Sequence, residues 1–164
     1  MDNTIGATHQ PNLPWIDSWA EFWDQHRLGH MLKLTGDAGL SKDDVSKLRQ
    51  KTKELLSHNP EPSLIHGDLW GGNKGFAKNN DDVVVPVIFD PATYYGDREA
   101  DIAMTKLFGG FSEEFYSNYN NYLPMINGWQ ERMPIWNLYP LLVHANLFGS
   151  SYLNQINSIL NKYN

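Results

Sequence analysis

The stretch HGDLWGGN at residues 66–73, followed by IFD at residues 88–90, is the most informative part of the sequence. It places Asn73 five residues after Asp68, and it sets Asp90 at the end of an apolar run. Phosphoryl transfer uses such a set. One carboxylate accepts the proton of the attacking hydroxyl, while an amide oxygen and a second carboxylate hold Mg²⁺ against nucleotide phosphates. The spacing therefore predicts a phosphoryl-transfer site.

The residues around this stretch predict a short β-hairpin. Residues 74–77 and the β-branched run 83–89 flank a polar turn, and Pro86 inside the second run indicates an edge position or a bulge. If the chain turns near residues 80–82 and the two strands are equally long, residues whose numbers sum to about 163 lie opposite each other. The turn thus brings Asn73 and Asp90 together, within a residue or two of register. Both offer the oxygen ligands that Mg²⁺ prefers.

Asp68 lies on the loop that enters the hairpin, where it can accept or orient the proton of a substrate hydroxyl beside the metal. Gly71 and Gly72 allow the loop to turn tightly and bring its backbone close to a ligand. Asp and Asn are also common turn residues, and any one of them alone could simply satisfy backbone groups in a loop. The complete set, with this spacing beside a hairpin, favours catalysis.

Four further residues are assigned to the support of this loop: His66, Gly67, Trp70 and Asp101. His66 is interpreted as a structural histidine that pins the loop, because the histidines of the sequence are scattered and lack the spacing of a zinc site. Asp101 either caps the helix that follows or hydrogen-bonds the catalytic loop, and we favour the second role. Trp70 is either a core aromatic or a wall of the substrate site.

Helices are predicted for most of the remaining chain. Apolar residues at helical spacing indicate a helix from Pro14 to Gly29, and Ser41 is placed to cap a second helix that ends before Pro60. From Glu99 onward every segment reads as helical. The fold class is therefore mainly α with a small β-hairpin (α+β).

The last long apolar segment, residues 135–163, is expected to be helical with a break or kink at Pro140 and a second one near Gly149. Residues 1–13 look irregular. No repeat, linker or boundary divides the sequence, so residues 1–164 are predicted to form a single domain.

Composition limits the function classes. The chain has 164 residues and a formal net charge of −6, which argues against general nucleic-acid binding and against an anionic membrane surface. It has no cysteine, which excludes disulfides and thiolate metal sites. No apolar run approaches the ~20 residues of a membrane span. These features predict a protein of the cytoplasm that binds neither nucleic acid nor membrane.

The sequence resembles the fructosamine kinases (ketosamine-3-kinases), which belong to a wider aminoglycoside-phosphotransferase-like group with a protein-kinase-like fold. The elements HGD…N and DP mark only that wider group. The narrower resemblance rests on four further motifs: YYGDRE at 94–99, LFGGF at 107–111, NTIGAT with QPN at 3–12, and NLFG at 146–149. His9 departs from the family, where Pro is more frequent.

The resemblance implies ATP-dependent phosphorylation of a sugar hydroxyl on a ketosamine, either a small molecule or a protein-bound Amadori product, in a deglycating repair reaction. By the same resemblance the catalytic base is Asp68, the metal ligands are Asn73 and Asp90, and the cofactors are ATP and Mg²⁺.

A kinase of this fold also needs a small N-terminal β lobe with a loop over the phosphates and a strand lysine. About 65 residues precede the catalytic loop, and they lack a Gly-rich loop and a strand with a lysine. The chain is therefore expected to be the C-terminal lobe alone, with the N-terminal lobe absent, nucleotide-binding residues unassigned, and little or no activity by itself. A homodimer or a separate N-terminal lobe would cover apolar surface near the loop.

Two alternatives stay open. The chain could be a non-catalytic binding or regulatory fragment that keeps the kinase-like fold. It could also belong to a related small-molecule kinase that acts on choline, homoserine or an aminoglycoside, although the narrower motifs favour a ketosamine.

Overall fold

Seven α-helices and three two-stranded antiparallel sheets make up residues 1–163, the part of the chain that the computed structural model describes. The helices are α1 Trp19–Phe22, α2 Gly29–Leu34, α3 Lys42–Leu55, α4 Glu99–Leu107, α5 Glu113–Tyr122, α6 Trp129–Phe148 and α7 Leu153–Leu160. A π-helical segment, Trp23–Leu28, joins α1 to α2. The mainly α, α+β fold class predicted from the sequence is confirmed.

The sheets are more numerous than the sequence suggested. They pair β1 Asn3–Ile5 with β2 Thr8–Gln10, β3 Ser63–Ile65 with β6 Tyr94–Gly96, and β4 Lys74–Lys78 with β5 Val84–Ile88. Only the last pair was predicted, and the prediction that residues 1–13 are irregular was wrong. The four other strands have three residues each, which is too short to display the alternation that identifies a strand.

The first helix begins later and continues further than predicted. Its start is fixed by Ser18, whose hydroxyl accepts a hydrogen bond from the Glu21 N–H at 3.4 Å, and not by Pro14. Gly29 does not end it, since its φ of −65° is helical. A Cβ at Gly29 would lie 2.6 Å from the Asp24 carbonyl oxygen, so the glycine serves the close packing of the π-helical turn.

Helix α6 forms the centre of the core. Most side chains of its middle part, residues 135–143, are buried, as expected where a helix has no polar face, and the Trp136 ring meets Trp23 edge to face with centroids 4.7 Å apart. The helix is not broken at Pro140, because burial of the surrounding side chains outweighs the ~3 kcal/mol that an internal proline costs. The helix ends at Gly149, where φ is +88°.

The hairpin β4–β5 is an isolated ribbon. Phe76 pairs with Pro86, so paired positions sum to 162, one less than the sequence argument assumed. The Phe89 N–H donates to the Asn73 carbonyl at 3.1 Å, and hydrogen-bonded pairs alternate along an antiparallel ladder. The pair of Phe76 and Pro86 is therefore not hydrogen-bonded, and the backbone groups of residue 86 point away from β4 to the free edge of β5. This confirms the edge position predicted for Pro86.

No helix among residues 1–163 has the length and apolar character that crossing a membrane would need.

Candidate active site

The loop at residues 66–73 runs from β3 into β4 and ends in a 3₁₀ turn, Gly71–Asn73. Gly67 has a φ of +79°, and a Cβ there would lie 2.1 Å from the carbonyl oxygen of Ala92. The Ala92 N–H donates to the His66 carbonyl at 2.9 Å. Glycine is thus required at position 67, because the loop passes directly over the segment that leaves β5.

Asp101, in the first turn of α4, holds the beginning of this loop. Its two carboxylate oxygens accept the backbone N–H groups of His66 at 2.7 Å and Gly67 at 2.9 Å. Burial raises the pKa of Asp101, although both hydrogen bonds act in the opposite direction. This is the loop-binding arrangement that the sequence hypothesis favoured over a simple cap.

His66 uses both ring nitrogens within the loop. Nε2 lies 3.0 Å from the Phe89 carbonyl oxygen, and Nδ1 lies 3.3 Å from the backbone nitrogen of Asp68. A carbonyl can only accept and a backbone N–H can only donate, so the ring is neutral with its proton on Nε2. A buried imidazole with both nitrogens engaged is suited to fix the loop, and not to act as a base or a metal ligand.

Asn73 is buried, and its amide orientation follows from its neighbours. Nδ2 donates to the Asp68 backbone carbonyl at 2.9 Å and to Asp68 Oδ2 at 3.0 Å, and it lies 3.5 Å from the Asp90 carbonyl oxygen. Since three oxygens surround it, this atom must be the nitrogen. The amide oxygen Oδ1 is therefore left to accept from, or coordinate, another group.

Asp90 has a backbone conformation that is unusual for a residue with a side chain. Its φ is +55° and it is exposed. Among residues 1–163 its carboxylate takes part in no hydrogen bond or ion pair. Asp90 follows Phe89, the backbone partner of Asn73, and its carbonyl lies 3.5 Å from Asn73 Nδ2, so the two residues are neighbours at the open end of the hairpin. The Asp90 carboxylate and the Asn73 amide oxygen are hard donors of the kind that fits Mg²⁺.

Asp68 is partly buried beside this pair, and burial raises the pKa of its carboxyl group. The hydrogen bond from Asn73 acts against the shift. A carboxylate with a raised pKa is a stronger base than an exposed one while it is still ionised near neutral pH. The arrangement is suited to accept a proton from a hydroxyl next to the metal ligands.

The far side of the loop packs against the turn that follows α4. A Cβ on Gly110 would lie 2.8 Å from the Cα of Gly71, and one on Gly71 would lie 2.9 Å from the Gly109 carbonyl oxygen. Trp70 is 40% exposed, and its ring meets Phe108 edge to face at 6.2 Å. Trp70 is thus not a core residue, and its role as a wall of the substrate site stays a prediction.

Sequence reasoning missed His144 of α6, which lies near enough to Asp68 to affect its pKa. Its ring is 4.8 Å from that of Phe108, and Nδ1 donates to the Pro140 carbonyl at 2.8 Å. No spacing signal could have joined it to Asp68, because only the packing of α6 against α4 brings them together. The NLFG motif two residues later was the nearest indication.

A second cluster, His58 with Asp97 and Glu99, has ligand atoms within 4.8 Å of one another. Arg132 binds Glu99 through two hydrogen bonds of 2.8 and 2.6 Å, and His58 Nε2 lies 2.6 Å from Asp97. The guanidinium already supplies the positive charge that a metal would bring, and it would repel one. The cluster is therefore a buried ion-pair network that joins α4 to α6.

Comparisons with known proteins agree with one another. The model of the fructosamine kinase family matches residues 1–164. A Synechocystis protein named "Probable ketoamine kinase" is 49% identical over 160 residues, which are 97% of this chain and 52% of that protein. "Protein-ribulosamine 3-kinase, chloroplastic" of Arabidopsis thaliana is 41% identical over 99% of this chain and 49% of its own length.

Solved structures are similar as well. The crystal structure of a "putative fructosamine-3-kinase" from Haemophilus somnus superposes with a TM-score of 0.85 at 35% identity, over 99% of this chain and 55% of that one. The corresponding structure from Thermobifida fusca gives 0.82 at 36% identity, over 99% and 56%. The chain spans about half the length of the curated relatives it matches. On this evidence the chain belongs to the fructosamine kinase family.

Proposed function

We propose that this chain carries the catalytic residues of an ATP-dependent kinase that phosphorylates a sugar hydroxyl of a ketosamine, as a step in deglycation. The observation that carries the proposal is the joint geometry of Asp68, Asn73 and Asp90. The Asn73 amide donates to Asp68, and this leaves its own oxygen and the Asp90 carboxylate as unpaired hard donors. The names of the relatives, ketoamine kinase and ribulosamine kinase, support the substrate class.

Each residue then has a role that follows from its contacts. Asp68 accepts the proton of the substrate hydroxyl. Asn73 orients Asp68 through Nδ2 and offers Oδ1 to the metal, while Asp90 offers its carboxylate from the other side of the hairpin's open end. Mg²⁺, when bound with ATP, would neutralise charge that develops on the phosphates. His66 and Asp101 keep the loop in place.

The role of the whole chain is also a proposal. We interpret residues 1–164 as one domain, the C-terminal lobe of the kinase-like fold, and expect ATP to require a further lobe. The outer face of the hairpin supports this view, since Phe76, Val84 and Ile88 are 78%, 60% and 60% exposed. A nucleotide-binding lobe, or a second copy of the chain, would cover these apolar side chains. Sedimentation of the purified chain distinguishes a monomer from a dimer.

Location remains a prediction. A cytoplasmic protein is expected from the composition, but the Arabidopsis relative is named as chloroplastic, so location differs among members of the family.

The test uses a chimera, because the chain spans half of its relatives. This chain replaces the matching half of the Synechocystis protein, and transfer of labelled phosphate from ATP to a synthetic fructosamine is measured. The same assay offers choline, homoserine and an aminoglycoside as acceptors. We expect the fructosamine to be preferred, and the isolated chain to show little transfer.

The chimera with Asp68→Asn is the matched variant, since the amide is isosteric but cannot accept a proton. We expect its rate to fall by about 10²–10⁴-fold, the usual contribution of a general base. An unchanged rate would remove Asp68 as the base. Transfer to choline or an aminoglycoside in place of fructosamine would move the chain to another small-molecule kinase group. A chimera that folds and binds ATP but transfers to none of these acceptors would favour a non-catalytic role.

A further inference from the structure

The motif at residues 3–12 has no part in the proposed function, yet its polar side chains lie against the active-site segment. Asn3, Gln10 and Asn12, here called the amide network, belong to the β1–β2 hairpin and the residues just after it. Gln10 is fully buried and Asn12 nearly so. A buried amide must be hydrogen-bonded to offset its desolvation, so the partners of these side chains indicate what the network does.

Two of those partners lie on the segment at residues 89–93, which carries Asp90. Gln10 Nε2 donates to the Ala92 carbonyl at 2.9 Å, and Asn3 Nδ2 donates to the Thr93 carbonyl at 2.8 Å. On its other side the same segment is bound to the catalytic loop, through the Ala92 N–H and the Phe89 carbonyl. The segment is therefore fixed between the catalytic loop and the amide network.

The rest of the network fixes the amides themselves. Asn3 Oδ1 accepts from Gln10 Nε2 at 2.8 Å and from Asn12 Nδ2 at 3.1 Å. Gln10 Oε1 accepts from the Tyr139 hydroxyl of α6 at 2.9 Å, a bond that does not involve residues 89–93. Each amide nitrogen donates to at least one oxygen, so none of these side chains can rotate without the loss of a bond.

Arg27, a buried cation, also holds the amide network. Arg27 is fully buried and donates to Asn12 Oδ1 at 2.6 Å, while its guanidinium lies 4.0 Å from the ring centroid of Tyr94 in β6. Within residues 1–163 it forms no ion pair with a carboxylate. Its charge is instead stabilised by oxygen acceptors and aromatic faces. The same residue thus holds the amide network and the strand that follows the Asp90 segment.

Asp90 needs such support because its positive φ is costly for a residue with a Cβ, and conformations of this kind persist only where the surroundings impose them. We propose that Asn3 and Gln10 are positioning residues, which hold residues 89–93 so that the Asp90 carboxylate stays at the open end of the hairpin beside Asn73. This inference rests on the proposed function only for the metal role of Asp90. The positioning itself is a property of the chain.

The test measures amide hydrogen exchange of the purified chain by NMR. Asn3→Asp keeps the oxygen that accepts from Gln10 and Asn12 but replaces the donor to Thr93 by a second oxygen. Gln10→Met has a similar size and loses the donor to Ala92. Tyr139→Phe is the matched control, because it removes one hydrogen bond of Gln10 and leaves the contacts with residues 92 and 93 in place.

We expect exchange at the Ala92 amide to become about tenfold faster, relative to the core amide of Leu142, in Asn3→Asp and in Gln10→Met. In Tyr139→Phe the ratio of the two rates should not change, even if the whole chain becomes less stable. Equal acceleration at Ala92 and Leu142 in the first two variants would show a structural role only and overturn the proposal, as would unchanged exchange at Ala92.

Metal binding is measured separately, with Mn²⁺ as the probe and electron paramagnetic resonance as the readout. We expect Asp90→Asn and Asn3→Asp each to weaken Mn²⁺ binding severalfold, and Tyr139→Phe to leave it unchanged. If Asp90→Asn leaves Mn²⁺ binding unchanged, the metal role in the proposed function fails. The exchange experiment still decides the positioning role.

Discussion

The contact between the catalytic loop and the turn after α4 allows a sharp test of how closely the loop must be held. Gly109 and Gly110 follow one another with φ values of +71° and +97°. A Cβ at Gly109 would meet nothing within 4 Å, whereas one at Gly110 would lie 2.8 Å from the Cα of Gly71. Alanine therefore adopts an unfavourable positive φ at either position, but only at position 110 does its Cβ meet another residue.

The magnitudes follow from these distances. Positive φ costs an alanine about 1–2 kcal/mol relative to glycine, and both variants share that loss. Carbon atoms pack at about 3.5–4.0 Å, so Gly110→Ala must also push Gly71 away by roughly 1 Å. Overpacking of this kind costs about 1–3 kcal/mol more. Gly71 lies between Asp68 and Asn73, and a displacement near 1 Å at reacting groups lowers rates by about 10²-fold.

Two measurements separate the cost of the backbone strain from the cost of the steric contact with Gly71. Urea unfolding of the chain gives the free energy of unfolding, and fructosamine phosphorylation by the chimera gives kcat/KM. We expect Gly109→Ala to lose about 1–2 kcal/mol of stability and to keep activity within a few-fold. Gly110→Ala should lose more stability and about 10²-fold in kcat/KM. Equal stability and equal activity of the two variants would refute the idea that this contact positions the loop.

Three further predictions concern charged groups. Because the pKa of Asp68 is raised, kcat/KM of the chimera should fall with decreasing pH through a value above the ordinary ~3.9 of an aspartate, and Asp68→Asn should lack that dependence. Asp101→Asn leaves one loop N–H without an acceptor, and urea unfolding should show a loss of about 1–3 kcal/mol at pH 7. Since the pKa of Asp101 is raised in the folded chain, its contribution to stability increases as pH falls through that pKa, so this difference should widen toward pH 4. Glu99→Ala isolates the buried Arg132 and should cost about 3–5 kcal/mol in the same assay.

Asp43→Ala is the matched control for the ion pair, because Asp43 pairs with Lys47 on the exposed face of α3 and such pairs contribute under ~1 kcal/mol. If Glu99→Ala lowers the free energy of unfolding no more than Asp43→Ala does, the assignment of a buried network is contradicted. For Asp101, a gap between wild type and variant that narrows toward pH 4 would contradict the sign of the pKa shift. For Asp68, an acid limb that persists in the Asn variant would assign it to another group.

The sequence predicted the elements whose signals are local. The polar turn and β-branched run defined the β4–β5 hairpin to within one residue of register, and Ser41 marked the start of α3 correctly. The sequence could relate Asn73 to Asp90 because the two residues stand at the two ends of one hairpin. Asp68 could be added because it lies only five residues before Asn73. Their chemical roles remain predictions that the assays above address.

What the sequence could not reveal depends on contacts between distant segments. Gln10 reaches Ala92 across 82 positions and Tyr139 across 129, and no periodicity records such a pairing. The same holds for the approach of Gly71 to Gly110. The sequence also left open whether the helix would break or kink at Pro140, because burial in the core decides whether a proline is tolerated and burial is a property of the whole fold.

The position of Pro86 has a consequence for self-association. Residues 83–89, VVVPVIF, combine high β-propensity with no charge, and such segments favour cross-β stacking when they are exposed. The free edge of β5 would be the template for an incoming strand, but residue 86 faces that edge and has no N–H to donate. An added strand would lose a ladder bond at the middle of its contact. Proline here acts as a gatekeeper against aggregation, and it protects a ribbon that exposes the apolar side chains of Phe76, Val84 and Ile88.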